Sequence, residues 1–356
     1  MTTLIAFVVL LGILVFVHEF GHFIAAKSVG MKVEKFYLGF NLFGLGIKKQ
    51  WGETEYGIGL FPLGGYVKVA GVIDESMDDS VKGEPYEFQS KNALQKIWFM
   101  SAGVIMNIIL AIFIFTMVSW INGNPELIDE PIVGQVQIND ENPSPAQKMG
   151  MQNGDIIQFV NGVFVSSWTE FAEMIHDMPK TKVEVIFSRD DIIFTKIDTT
   201  LSREVMVDGE RIQHGMIGIM PTFELVEIPF GEAVYIGFER TWSTWNMVLG
   251  SVSDLISGNA SMDDVGGPIM IAKIAGETAK SGYLNFILLI AILSVNLALL
   301  NILPIPGLDG GHILITLIEA VIRRPLPTKI KIGIQQVGMF LLLSLFVFIM
   351  INDIVR

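Results

Sequence analysis

His18, Glu19 and His22 stand together in FVHEFGHFIAA, residues 16–26. Helix positions four apart share a face, so His18 and His22 present two imidazoles side by side. At that spacing two neutral imidazoles hold one Zn2+, with the intervening Glu19 beside a water that the metal activates. The metal draws the pKa of water towards ~7 and polarises a scissile carbonyl. Glu19 takes the proton and passes it to the leaving amine. The chemistry that such a pattern implies is peptide hydrolysis. HExxH alone occurs by chance on helices, but here an apolar run precedes it, with no charge from residue 4 to residue 17. A buried carboxylate in a spanning helix costs on the order of 3 kcal/mol, and a plain anchor offers nothing to offset that. The polar groups therefore read as a metal site inside a membrane. Gly21, Ala25 and Ala26 are small enough to let another helix approach.

A catalytic zinc takes three protein ligands and keeps one position for water. The third is sought in NILPIPGLDGGH, residues 301–312, where two prolines and three glycines interrupt an apolar run before an acidic residue. The first helix enters from outside, so His18 lies ~20 Å along it at 1.5 Å per residue. Asp309 follows the cytoplasmic end of its own span, which puts both in the inner half of the bilayer. Asp309 is the favoured ligand and His312 the rival, whose other role is hydrogen bonding or packing near a helix start.

The elements that must carry these groups are legible in composition. Only 17% of the 356 residues are charged and 51% are hydrophobic, against about 25% charged in soluble domains. Spanning the hydrocarbon takes roughly 20 apolar residues, and four stretches qualify: 2–26, 97–121, 283–303 and 333–351. The first lacks the positive n-region and small-residue cleavage site of a secretory signal, so it reads as a permanent anchor. There are no cysteines, so a metal site must use His and carboxylate ligands. Lys27, Lys32, Lys35, Lys48 and Lys49 follow the first span, and Arg323, Arg324, Lys329 and Lys331 separate the third from the fourth. Positive residues close to spans mark the cytoplasmic side. Residues 122–240 hold 20 acidic against 8 basic residues, net −12 of the chain's −13. Both termini and this acidic segment are expected outside. Its charge argues against nucleic acid as a partner.

Between the first two spans, residues 51–71 alternate in short runs broken by Gly and by PLGG, which predicts a β-hairpin or a looped sheet. Residues 129–223 form a small α+β domain by pattern, with turns at Asn153–Asp155 and Asn161–Gly162 and a helix over 168–178. Its SPAQKMGMQNGDIIQFVNG is similar to the PDZ family, in which an extended peptide adds as a strand. The similarity covers most of 132–201, with a closing strand expected at 216–221. Residues 229–258, with Glu232, Glu239, Arg240, Trp242 and Trp245, suit an interfacial amphipathic helix better than a fifth span.

HEFGH near one end and NILPIPGLDGGH near the other together resemble the site-2 protease family of intramembrane zinc metalloproteases. The inserted PDZ-like domain points to its bacterial branch, similar to the regulator of sigma-E protease. The resemblance implies zinc held by His18, His22 and Asp309, with Glu19 as catalytic base. It implies substrate contacts from Asn296 and Asn301, and from a membrane re-entrant β-loop carrying Gly64, Gly65 and Tyr66. Many close relatives carry two tandem PDZ domains; one is identified here. The expected architecture is a polytopic α-helical membrane protein with four transmembrane helices, a re-entrant β-loop and an inserted PDZ-like α+β domain. Its parts are an N-terminal membrane segment (1–128), the PDZ-like domain (129–223), an interfacial segment (224–282) and a C-terminal membrane segment (283–356). The family's location is the bacterial inner membrane, with the PDZ-like domain on the periplasmic side. Its substrates are single-pass membrane proteins such as anti-sigma factors and remnant signal peptides, and the PDZ-like domain can take a peptide ligand.

The competing reading is a membrane scaffold with a structural metal, and a metal transporter is a weaker third. Glu19 argues for the enzyme, because a structural site has no need of a base. The lysine bias makes the orientation testable. A cysteine replacing Asp190 should react with an impermeant thiol reagent when the inner membrane is intact, and one replacing Lys49 should not. The reverse pattern would invert the topology.

Overall fold

The computed structural model describes residues 2–41, 46–72, 83–139, 142–207, 210–258 and 266–355. The chain divides into two compact units, Met1–Ile121 with Pro229–Arg356, and Asn122–Ile228.

The first unit begins with α1 (Thr2–Ser28), apolar on every side over most of its length, as a helix bathed by lipid and protein must be. Four strands follow, β1 (Val33–Phe40), β2 (Gly46–Trp51), β3 (Thr54–Gly59) and β4 (Phe61–Val69), and then α2 (Ala93–Asn122). The strands form one sheet in the order β2-β3-β1-β4. Of the hairpin and the looped sheet expected over 51–71, the chain builds the looped sheet. β3 and β4 flank β1, the former parallel to it and the latter antiparallel. Only Leu60 separates β3 from β4, which pair with β1 and not with each other. At the centre of the sheet Tyr37 stacks on Tyr66 with ring centroids 5.2 Å apart, and its hydroxyl donates to Glu55 at 2.7 Å.

α2 runs antiparallel to α1. Ala25 and Ala26 cluster with Phe99, Met100 and Ala102, while Leu10 and Leu14 cluster with Ala111, Ile114 and Phe115. Gly21 permits the approach, because a Cβ there would strike the Ala102 carbonyl oxygen.

The second unit contains β5 (Asn124–Leu127), β6 (Val133–Val136), α3 (Pro145–Met149), β7 (Ile156–Val160), β8 (Val163–Phe164), α4 (Trp168–His176), β9 (Lys182–Arg189), β10 (Ile192–Thr199), β11 (Leu201–Val207), β12 (Glu210–Met216), β13 (Ile219–Pro221) and β14 (Phe223–Val226). A four-stranded sheet β10-β9-β7-β8 is joined by the pairs β13-β6, β11-β12 and β14-β5. Ser167 caps α4 by accepting from the Glu170 amide at 3.1 Å, and Glu170 reaches back to the Ser166 amide at 2.8 Å, a reciprocal arrangement that satisfies two donors at the helix start. Phe171 and Ile175 of α4 pack against Val183, Val185 and Phe187. Asp155, wholly buried, is held by the Arg189 guanidinium at 2.7 Å.

The chain then returns to the first unit with α5 (Phe230–Ile256), α6 (Pro268–Ser281), α7 (Tyr283–Ile302), α8 (Asp309–Ile322) and α9 (Thr328–Val355). Among the described residues four helices are long and apolar enough to cross a membrane, namely α1, α2, α7 and α9, as composition predicts. α5 lies against α2 where Gly237 meets Thr116, and exposes Tyr235, Phe238 and Trp242. Residues 259–265 of the expected interfacial segment lie outside the described residues. Ile290, Ala291 and Val295 of α7 complete the core of α1 and α2.

Of these four helices α9 is the least covered, and few of its side chains are buried. Specific contacts hold it instead. Lys331 pairs with Glu319 of α8 at 2.6 Å and Gly338 lies against the Pro306 carbonyl. The Asp353 carboxylate accepts from the Ile269 and Met270 amides at 2.8 and 3.1 Å, capping the first turn of α6. Loss of such a cap costs about 1 kcal/mol. Asp353→Ala should therefore lower the thermal midpoint in detergent, and Asp353→Asn should lower it less. Identical midpoints for all three proteins would show that the contact adds nothing.

Candidate metal centre and active site

His18 and His22 are buried on one face of α1, and Asp309 is the first residue of α8. α8 folds back tightly on the end of α7 because Gly310 and Gly311 follow Asp309. Side chains at either glycine would strike the carbonyl oxygens of Ile302, Leu303 or Ile305. That turn carries the carboxylate to α1 from more than 280 residues away in sequence.

The Nε2 atoms of His18 and His22 are 3.2 Å apart, and each is 3.3 Å from Asp309 Oδ2. Ligand atoms at the corners of a tetrahedron with bonds near 2.0–2.1 Å are separated by about 3.3 Å. The three atoms thus stand at the edge length of a zinc site. Asp309 Oδ2 is buried without a hydrogen-bond partner, an expensive state for a carboxylate oxygen unless a cation meets it. His22 Nδ1 lies 2.9 Å from the Phe99 carbonyl oxygen. That acceptor takes an Nδ1 proton and leaves the Nε2 lone pair facing the other two groups. The donor set fits zinc. Among the described residues, His18, His22 and Asp309 form the cluster with metal-ligand proximity.

A cavity of roughly 800 Å3 opens beside them, walled also by Glu19, residues 64–68 of β4 and Asn301. Glu19 of α1 and Val67 of β4 line this cavity together. A Cβ at Gly65 would stand 2.8 Å from Val15 Cγ1 and 3.3 Å from Glu19 Cγ, so only glycine lets β4 lie this close. Gly103 of α2 does the same for the imidazoles, since a Cβ there would stand 2.5 Å from His22 Nε2 and 2.6 Å from His18 Cε1.

The structure brings His18, Glu19, His22, Asp309, Gly64, Gly65, Tyr66 and Asn301 to this one cavity. Asn296, a turn and a half earlier on α7, is not among the lining residues. His312 lines the cavity but sits 3.1 Å from the Gln335 amide nitrogen of α9, outside the three-group cluster. The Phe99 carbonyl, Gly103, Asn107 and Gln335 escaped the sequence reading. A signal existed for two of them: Gly103 and Asn107 are four apart, and Asn107 is the one amide in the apolar run 97–121, where a strongly polar side chain marks a functional face.

The sequence profile of peptidase family M50 matches residues 6–345. A Clostridium perfringens protein whose name reads "Putative zinc metalloprotease" is 35% identical over 96% of this chain and 95% of its own length. Zinc metalloprotease RasP of Oceanobacillus iheyensis is 29% identical over 100% of this chain and 99% of its own. Its counterpart in Bacillus licheniformis is also 29% identical, over 100% and 99%. The match runs from the histidine-bearing helix through the returning aspartate and into α9, and on that ground the chain belongs to peptidase family M50, as an intramembrane zinc metalloprotease of the site-2 type.

Proposed function

We propose that this protein hydrolyses peptide bonds within the membrane-spanning segments of single-pass proteins, anti-sigma factors and remnant signal peptides among them, in a bacterial inner membrane. The observation that carries the proposal is the meeting of His18, His22 and Asp309 at tetrahedral spacing in a cavity shared with Glu19 and β4. A Zn2+ held by those three side chains supplies Lewis acidity towards a carbonyl and lowers the pKa of water towards ~7. Glu19, next to His18 on the same helix, takes a proton from the attacking water and delivers it to the leaving nitrogen.

A helix in lipid hides its peptide bonds in its own hydrogen bonds, so cleavage requires a stretch to unwind. β4 is one of the two edge strands of its sheet, and residues 64–68 line the cavity. An extended substrate laid beside β4 exchanges its lost helical bonds for strand bonds. Asn301 adds an amide on the same wall; Asn296, away from that wall, acts through α7 packing or on a longer stretch of substrate. The sheet with Gly64, Gly65 and Tyr66 is then the re-entrant element, tolerated at membrane depth because protein and a wet cavity cover it. The acidic second unit lies on the periplasmic side as a PDZ-like module that takes a peptide or filters access. The termini share that side.

Glu19→Gln is nearly isosteric and keeps both imidazoles in place, but cannot accept a proton. Cleavage of a tagged single-pass substrate in detergent should fall by about 10²–10⁴-fold, with zinc content unchanged. A variant that cuts as fast as wild type defeats the hydrolytic role of Glu19. Metal analysis tests the ligand set separately. His22→Ala and Asp309→Ala should lose zinc while His312→Ala retains it; zinc kept by Asp309→Ala and lost from His312→Ala would reverse the choice of third ligand.

A further inference from the structure

Phe99, Gly103 and Asn107 succeed one another at intervals of four on α2 and so share the face turned to α1. Their order matches the histidines in reverse. The Phe99 carbonyl meets His22 Nδ1 at 2.9 Å, the Asn107 amide meets His18 Nδ1 at 3.3 Å, and Gly103 leaves room for both rings between them. Asn107 is fully buried, and its backbone carbonyl accepts from Ser294 Oγ of α7 at 2.8 Å. This turn of α2 is therefore pinned to the helix that leads to Asp309.

The Asn107 side chain stands with Nδ2 towards His18, while Oδ1 is buried without a hydrogen-bond partner. A half-turn of the carboxamide exchanges the two atoms without changing its shape. The exchange decides what His18 can do. With Nδ2 against it, Nδ1 must accept, so the neutral ring carries its proton on Nε2, the atom that faces Asp309 and His22. With Oδ1 against it, Nδ1 donates, the buried oxygen is satisfied, and Nε2 keeps its lone pair for a metal.

We propose that Asn107 is the positioning residue for His18, accepting its Nδ1 proton so that Nε2 is held as a ligand. It is the side-chain counterpart of what the Phe99 carbonyl does for His22. α2 is then the outer shell of the metal centre, serving both imidazoles from one helical face. This rests on the zinc reading above.

The test compares zinc release to a chelator from detergent-solubilised wild type, Asn107→Leu and Asn107→Asp, with His22→Ala as the metal-free reference and thermal midpoints as a check on folding. Outer-shell partners of ligating histidines are worth about 10–100-fold in metal affinity. Asn107→Leu, which keeps the volume and removes the acceptor, should release zinc faster by that factor. Asn107→Asp, an acceptor only, should hold zinc at least as well as wild type. The visible spectrum of the Co2+-substituted protein should change in the leucine variant and persist in the aspartate variant. A packing role gives the opposite order, because a buried apolar helix face tolerates leucine and rejects a carboxylate. Zinc release from Asn107→Leu at the wild-type rate, or from Asn107→Asp as fast as from Asn107→Leu, overturns the proposal while leaving the metal reading intact. A wild type that takes up no more zinc than His22→Ala overturns both.

Discussion

Two imidazoles and a carboxylate placed among apolar helices bind the rest of the architecture to them. In water each would be solvated wherever it stood, but within a bilayer an unmet polar atom costs several kcal/mol. His18 and His22 on α1 meet Asp309 on α8 only if helices far apart in sequence pack closely, and glycine stands at the close approaches. Gly21 lets α2 close on α1, Gly103 leaves space for the rings, and Gly310 with Gly311 turns α8 back on α7. The same demand explains why α2, with no ligand of its own, presents the Phe99 carbonyl and Asn107 along one line.

Reaction at such a centre needs access as well as ligands. Pure helix bundles offer no backbone groups to a substrate, because every amide and carbonyl is taken along the helix. The sheet between α1 and α2 supplies what the helices cannot. β4 stands at its edge, on the wall of the cavity, and its Gly65 lies against the Glu19 side chain. The carboxylate proposed to move protons is thus packed directly against the strand proposed to hold an unwound peptide. α9 closes the other side with little apolar burial and a few polar fastenings.

The four apolar helices were legible because lipid imposes length and composition on any segment that crosses it. HEFGH was legible for a related reason: charge within such a segment is too expensive to be incidental. The sheet was only half legible. Residues 51–71 showed strands, but β1 at its centre, with its aromatic VEKFYLGF, was not recognised, and β3 and β4 turned out to flank it. Pairing order depends on which strands can reach one another, and local periodicity carries no trace of that.

His312 illustrates the boundary most clearly. In sequence it stands three residues from Asp309, and by residue type it is the better zinc ligand. The turn of α8 directs it to Gln335 and sends Asp309 to the histidines. Asn107 shows the same limit from the other side, as a lone amide in an apolar span whose role appears only when His18 lies 3.3 Å away. By itself the sequence determined the number of apolar helices, the imidazole pair with its carboxylate neighbour, and the kind of chemistry they do. Those follow from local spacing and from the cost of charge in lipid. The tertiary structure decided between Asp309, favoured by its depth, and its rival His312, and showed which groups of α2 face the imidazoles, because contacts between helices depend on crossing and rotation, and no local pattern encodes either.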